Sequence, residues 1–183
     1  MSRNYKDSNV VNFTNEDIVI TDPCYFMKDE RKSVGGIMPM ADNDWEACDY
    51  GSKLSIFGFS EYITHDTLIG DDSWMIYDAH EYNQEVYGVI GVDSGRFGVY
   101  KLKDILAYNP NYDIAAACKM ELATLLKGFT GSVQVVVEGE EAVIVGNGNI
   151  DFESRLLYDN REEYEYEEDY YDEEDDEYED DED

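Results

Sequence analysis

Two short stretches of the chain place a hydroxyl and an aspartate where an apolar run gives way to a turn: Ile20-Thr21-Asp22-Pro23 and Val92-Asp93-Ser94-Gly95. Turns of this kind can present backbone N–H groups to an anion. Arg96 follows the second stretch directly and adds a planar guanidinium suited to phosphate. The plainer reading is a pair of capped turns, because aspartate and serine favour turns wherever they occur. Lys28, Arg31 and Lys32 form the densest group of cations ahead of the C-terminal region. They suit either an exposed charged loop or the surroundings of an anionic ligand. Tyr25, Trp45, Tyr62, Trp74, Tyr77 and Tyr87 offer planes on which purine bases stack, or simply core and rim packing. Thr64-His65-Asp66-Thr67, followed by Gly70-Asp71-Asp72-Ser73-Trp74, combines a histidine with carboxylates, a set able to hold a metal or move a proton. Its only companion histidine is His80, and no His-x-x-x-His, Walker loop, Gly-x-Ser-x-Gly or paired-cysteine pattern accompanies it. Binding is therefore expected rather than catalysis.

The elements that must position these residues are mostly strands. Ile18-Val19-Ile20 reads as a short buried strand stopped by Pro23, which cannot donate to a ladder. Asp42 to Tyr50 suggests a turn or two of helix ended by Gly51. Leu54–Phe59, Glu61–Thr64, Trp74–Tyr77 and Val86–Val92 are rich in β-branched and aromatic residues and read as strands. Asp93-Ser94-Gly95 predicts a hairpin turn into Arg96–Tyr100. Leu102–Tyr108 suggests a short helix closed by Asn109-Pro110. A second helix is expected from an Asp113 cap through Lys127, since Ile114, Ala117, Cys118, Leu122, Leu125 and Leu126 recur at helical spacing before Gly128. A last hairpin runs over Ser132–Glu138 and Glu141–Val145, and a reversal at Gly146–Asn149 leads into 150–157. The expected fold is α+β and mainly β, a compact antiparallel sheet or barrel-like domain with one or two helices, over residues 1–158.

The charge balance narrows the partners. The chain has 183 residues and a net charge of −31. Asp159 to Asp183 alone carries 18 acids against Arg161, a charge of −17 that leaves −14 on the domain. A polymeric nucleic acid needs a basic stripe, and this surface repels it. The tail's tyrosines cannot bury enough surface to offset about 1–2 kcal/mol of chain entropy per residue, so 159–183 is expected to be disordered. Three cysteines, Cys24, Cys48 and Cys118, cannot all pair within one chain and suggest a reducing cytoplasm. No stretch approaches the roughly 18 apolar residues of a membrane span, and the N-terminus has no signal-peptide core.

Ile20-Thr21-Asp22-Pro23-Cys24-Tyr25, Trp45-x-x-Cys48-x-Tyr50-Gly51, His65-Asp66-Thr67-x-x-Gly70-Asp71, Val92-Asp93-Ser94-Gly95-Arg96-Phe97-Gly98-Val99 and Asn109-Pro110 together resemble a family of small bacterial and phage proteins. That family includes phage sponges that sequester the cyclic oligonucleotide signals of CBASS anti-phage immunity. The likeness covers most of the domain and none of the tail. It implies non-hydrolytic binding of a ligand such as a cyclic dinucleotide, a homo-oligomer, and a bacterial host cytoplasm. Such a ligand needs two phosphate sites and two aromatic planes, and Tyr25, Arg31, Lys32, Trp74, Ser94 and Arg96 are the residues suited to supply them. No cofactor and no metal are expected. A second reading takes the acidic tail as a binding module for a basic partner, and a third takes His65, Asp66 and Asp71 as a metal-assisted hydrolase.

Overall fold

A computed structural model of the protein describes residues 10–27, 54, 57–80 and 85–157. Lys28, Arg31, Lys32, Trp45, Cys48, the helix expected over 42–50 and the tail lie outside the described residues.

The described chain is mainly β, with one curled antiparallel sheet of eight strands and two short helices, in agreement with the expected fold class. The strands are β1 (Val11–Thr21), β2 (Ile63–Asp66), β3 (Asp72–Asp78), β4 (Val86–Val92), β5 (Arg96–Lys101), β6 (Ala123–Glu138), β7 (Glu141–Gly148) and β8 (Phe152–Leu156). Their order is β2-β5-β1-β6-β7-β8-β3-β4. The helices are α1 (Leu102–Tyr108) and α2 (Ile114–Lys119).

β6 causes much of the curl. Its first part pairs with β1 and its second with β7, so one continuous strand turns between two neighbours. At the far end of the sheet, β4 closes back against the start of β6. Gly91 N–H donates to Glu121 O at 2.7 Å, and a Cβ on Gly88 would collide with the Thr124 hydroxyl. A side chain at position 88 would have to displace that threonine side chain for β4 to lie this close to β6.

Strand alternation sorts the apolar residues into two cores. Phe13, Ile18, Ile20, Ile76, Phe97, Val99, Leu126, Phe129 and Phe152 fill the inside of the curl. Val19, Tyr100 and Ala123 point the other way and pack with Phe26, Phe59, Ile105 and Ala117 beneath the helices. This explains the unbroken Ile18-Val19-Ile20 run: both faces of β1 are covered, so it need not alternate with polar residues.

Three expectations are corrected. Asp93–Gly95 is a turn, but β4 and β5 do not form a hairpin. β4 pairs with β3, and β5 lies between β1 and β2, where Tyr100 and Lys101 are buried as well as Phe97 and Val99. The second helix stops at Lys119 rather than Lys127. Glu121 takes a positive φ of 59°, and Ala123-Thr124-Leu125-Leu126 then alternates between the two cores as the opening of β6. Four apolar or small residues in a row fit either period, and tertiary packing decides. In the 54–59 stretch, Leu54 is helical and 57–58 form a turn, while 55–56 lie outside the described residues. Among the described residues no helix is long and apolar enough to cross a membrane.

Candidate functional site

The two loops singled out in the sequence meet. β1 ends at Thr21, and Asp22, with φ −71° and ψ 130°, caps a 3-10 turn over Pro23–Tyr25, where proline's fixed φ suits the first position. β5 runs antiparallel to β1 with Thr21 opposite Gly98, which brings the Asp93–Gly95 turn alongside Asp22. The Asp22 carboxylate then accepts four hydrogen bonds. Cys24 N–H donates at 2.8 Å and the Ser94 hydroxyl at 2.7 Å to Oδ1, while the backbone N–H groups of Asp93 and Ser94 donate at 2.9 and 2.7 Å to Oδ2. The backbone donors suited to a bound anion are thus occupied by the protein's own carboxylate. Burial raises the Asp22 pKa, while the donors of Cys24 and Ser94 oppose it. Four donors aimed at one group are the pattern that an ionised carboxylate requires.

The junction is braced on each side. Tyr25 donates its hydroxyl proton to Asp93 Oδ2 at 2.5 Å, and the Thr21 hydroxyl donates to Leu122 O at 2.7 Å. Burial, and then the bond to Asp93, pushes the Tyr25 phenol pKa up. Thr67 N–H donates to Gly95 O at 2.9 Å, and Gly95 N–H in turn bonds to Asp71, whose carboxyl is raised by burial. Arg96 stands on the rim, its side chain 30% exposed, with Nε 3.0 Å from the Asp66 carboxylate directly across the β2–β5 ladder.

The structure brings four of the residues expected at a site to the same end of the sheet or just beneath it, in unequal roles. Ser94 is held by Asp22 and accepts from Arg96 N–H at 3.3 Å. Tyr25 is 4% exposed and Trp74 0%, with Trp74 lying 5.2 Å from the Phe97 ring inside the curl. A stacking plane needs an open face, so both rings act as packing in this conformation. Ser94 and Arg96 are the two of the four that reach solvent in part. Arg31 and Lys32 belong to the segment that leaves the described chain at Met27, two residues after Tyr25.

The histidine and carboxylate stretch also has structural partners. His65 Nδ1 lies 2.7 Å from Asp66 O, so that nitrogen carries the proton and Nε2 is the acceptor, buried without a hydrogen-bond partner. Burial lowers the His65 pKa to about 4. Asp66 is bound to Arg96 and Asp71 to Gly95. Among the described residues no three of histidine, cysteine, aspartate and glutamate gather as a metal site.

Sequence reasoning missed the Asp22-to-Ser94 bond and the Arg96–Asp66 pair. The repeated pattern of apolar strand, hydroxyl and aspartate at both loops was the available signal. The partner of each loop depended on strand order. No family model, curated protein or solved structure matches the chain.

Proposed function

We propose that this protein captures an anionic cyclic oligonucleotide without altering it, at the end of the sheet where Asp22 joins the two strand-end loops. The observation that carries the reading is that junction. One buried carboxylate fixes the loop that sets Arg96 on the rim and also the turn whose chain continues into Lys28, Arg31 and Lys32. Arg31 lies four positions beyond Met27 in the chain, a length that an extended chain spans in at most about 14 Å. Tyr25 and Ser94 serve as supports under the site, and Arg31, Lys32 and Arg96 supply its positive charge. Asp66 tempers the charge of Arg96, so a phosphate must share that guanidinium or displace the carboxylate. The likeness to phage sponges is the source of the ligand class. Non-hydrolytic binding is supported by a histidine kept neutral by burial and by carboxylates already engaged with donors.

The test is calorimetry and thermal denaturation of the whole chain with cyclic di- and trinucleotides, followed by recovery of the ligand after heating. Intact ligand is expected, with about 2.7 kcal/mol of added stability at 100 times the dissociation constant. Arg96→Ala and the double change Arg31→Ala/Lys32→Ala should each weaken binding by about tenfold, the scale of one lost charge-assisted contact. Deleting 159–183 should leave binding intact. Absence of any thermal shift, recovery of hydrolysed product, or unchanged affinity in both variants overturns the proposal.

A further inference from the structure

Helices α1 and α2 cover one wall of the curled sheet, over β1, β5 and the start of β6. On another wall, where β4, β3 and β8 lie side by side, the outer face carries a hollow of about 250 Å³ lined by Met75, Tyr77, Val86 and Arg155. Strand alternation places it there: Trp74 and Ile76 point into the core, so Met75 and Tyr77 point out. Val86, opposite Tyr77 in the ladder, is 51% exposed.

The rim is acidic. The Arg155 guanidinium pairs with Glu138 at 2.5 Å and with Glu153, and it also bonds to Tyr77. Two carboxylates around one guanidinium leave negative charge in excess, and Glu85 adjoins Val86 in the chain. An anion gains little from an arginine held this way, whereas a cation beside the hollow gains from the surplus. We propose that this hollow is a docking surface for a basic protein segment, one that inserts a single apolar or aromatic side chain flanked by lysine or arginine.

Charge selects that occupant over the others. A second copy of this chain carries the same −31 and presents the same rim, and the chain's own tail brings −17 to carboxylates of like sign. The size is right for one large side chain, since pockets for whole small molecules span about 300–1,000 Å³. An apolar anchor within a charged ring is also the usual anatomy of a protein contact, with a dry centre and a polar rim.

The proposal is tested by titrating the isotope-labelled full chain with a Lys-Lys-Trp-Lys-Lys peptide and, as a charge-matched control, Lys-Lys-Ser-Lys-Lys, following backbone amide shifts. The tryptophan peptide is expected to shift the amides of Met75, Tyr77 and Val86, and the serine peptide to shift the tail alone. Val86→Ser, checked for an unchanged melting temperature, should lower affinity for the tryptophan peptide about fivefold, the scale of a lost apolar contact of this size. Glu138→Gln should lower it about two- to threefold, and less at high salt. Equal binding of the two peptides with shifts confined to the tail overturns the proposal, as does unaltered affinity in folded Val86→Ser. Binding at the hollow only after residues 159–183 are removed also overturns it, because the tail would then be the occupant.

Discussion

Replacing Asp22 by asparagine keeps size and shape and removes only charge and one acceptor, so it isolates the junction on which the site depends. Oδ1 accepts from Cys24 N–H and the Ser94 hydroxyl, and Oδ2 accepts from the N–H groups of Asp93 and Ser94. Whichever way an amide is turned, its NH2 faces at least one of these backbone donors. In one orientation Cys24 N–H loses its acceptor, and in the other those of Asp93 and Ser94 do. A buried donor left without a partner costs about 1–3 kcal/mol, and the remaining bonds lose their charge assistance. Asp22→Asn is therefore expected to destabilise the fold by about 2–4 kcal/mol at neutral pH, lowering the melting temperature by roughly 5–15 °C for a chain of this length. Urea denaturation with an unchanged m-value measures the first figure, and amide exchange at Asp93 and Ser94 shows whether the loss is local. A cost below about 1 kcal/mol, with those amides still protected, would show that the carboxylate is not what joins the loops.

Further outcomes follow from burial and close approach. His65 has a folded pKa of about 4 against an ordinary 6.5, so between those values the unfolded chain binds the extra proton. Its contribution is fully present above pH 6.5 and falls as pH drops towards 4, by up to about 3 kcal/mol. His65→Leu should flatten that part of the stability–pH curve relative to the parent, with Asp66 and Arg96 unchanged; identical slopes in the two proteins would remove burial as the cause. Gly98→Ala puts a Cβ into the Ile63 carbonyl oxygen and within 2.8 Å of the Tyr100 hydroxyl, so β2 must move away. A loss of about 3 kcal/mol is expected by denaturation, with faster exchange of the β2 amides, whereas a neutral result would mean that β2 is not held in this register. Trp74→Phe removes an indole N–H that is buried without a hydrogen-bond partner, so it should cost only the lost packing volume, about 1–2 kcal/mol in chemical denaturation. A larger loss would reveal a partner for that nitrogen.

The strands and the turns were legible in the amino-acid sequence because they are decided locally. Pro23 and Asn109-Pro110 stop elements through a fixed φ and a missing donor. Asp113 caps α2 through Ala116 N–H at 3.0 Å because aspartate's short acceptor reaches that donor. The β6–β7 hairpin follows from Gly139 at φ 61° between two alternating runs. Residue types at the site were legible for the same reason: aspartate beside a hydroxyl after an apolar strand marks a loop with donors to satisfy.

The pairing of those elements was settled only in three dimensions. Val86–Val92 and Arg96–Lys101 look like one hairpin, yet a short turn links strands that lie near opposite ends of the sheet order, because β5 buries both faces between β1 and β2. Leu122–Leu126 fits a helix and a strand equally well, and the two cores on either side of β6 choose the strand. The donors at Asp93 and Ser94 read as an open anion site in one dimension. Folding placed Asp22 against them, because nothing in the local chemistry distinguishes an aspartate 71 or 72 positions away from a ligand.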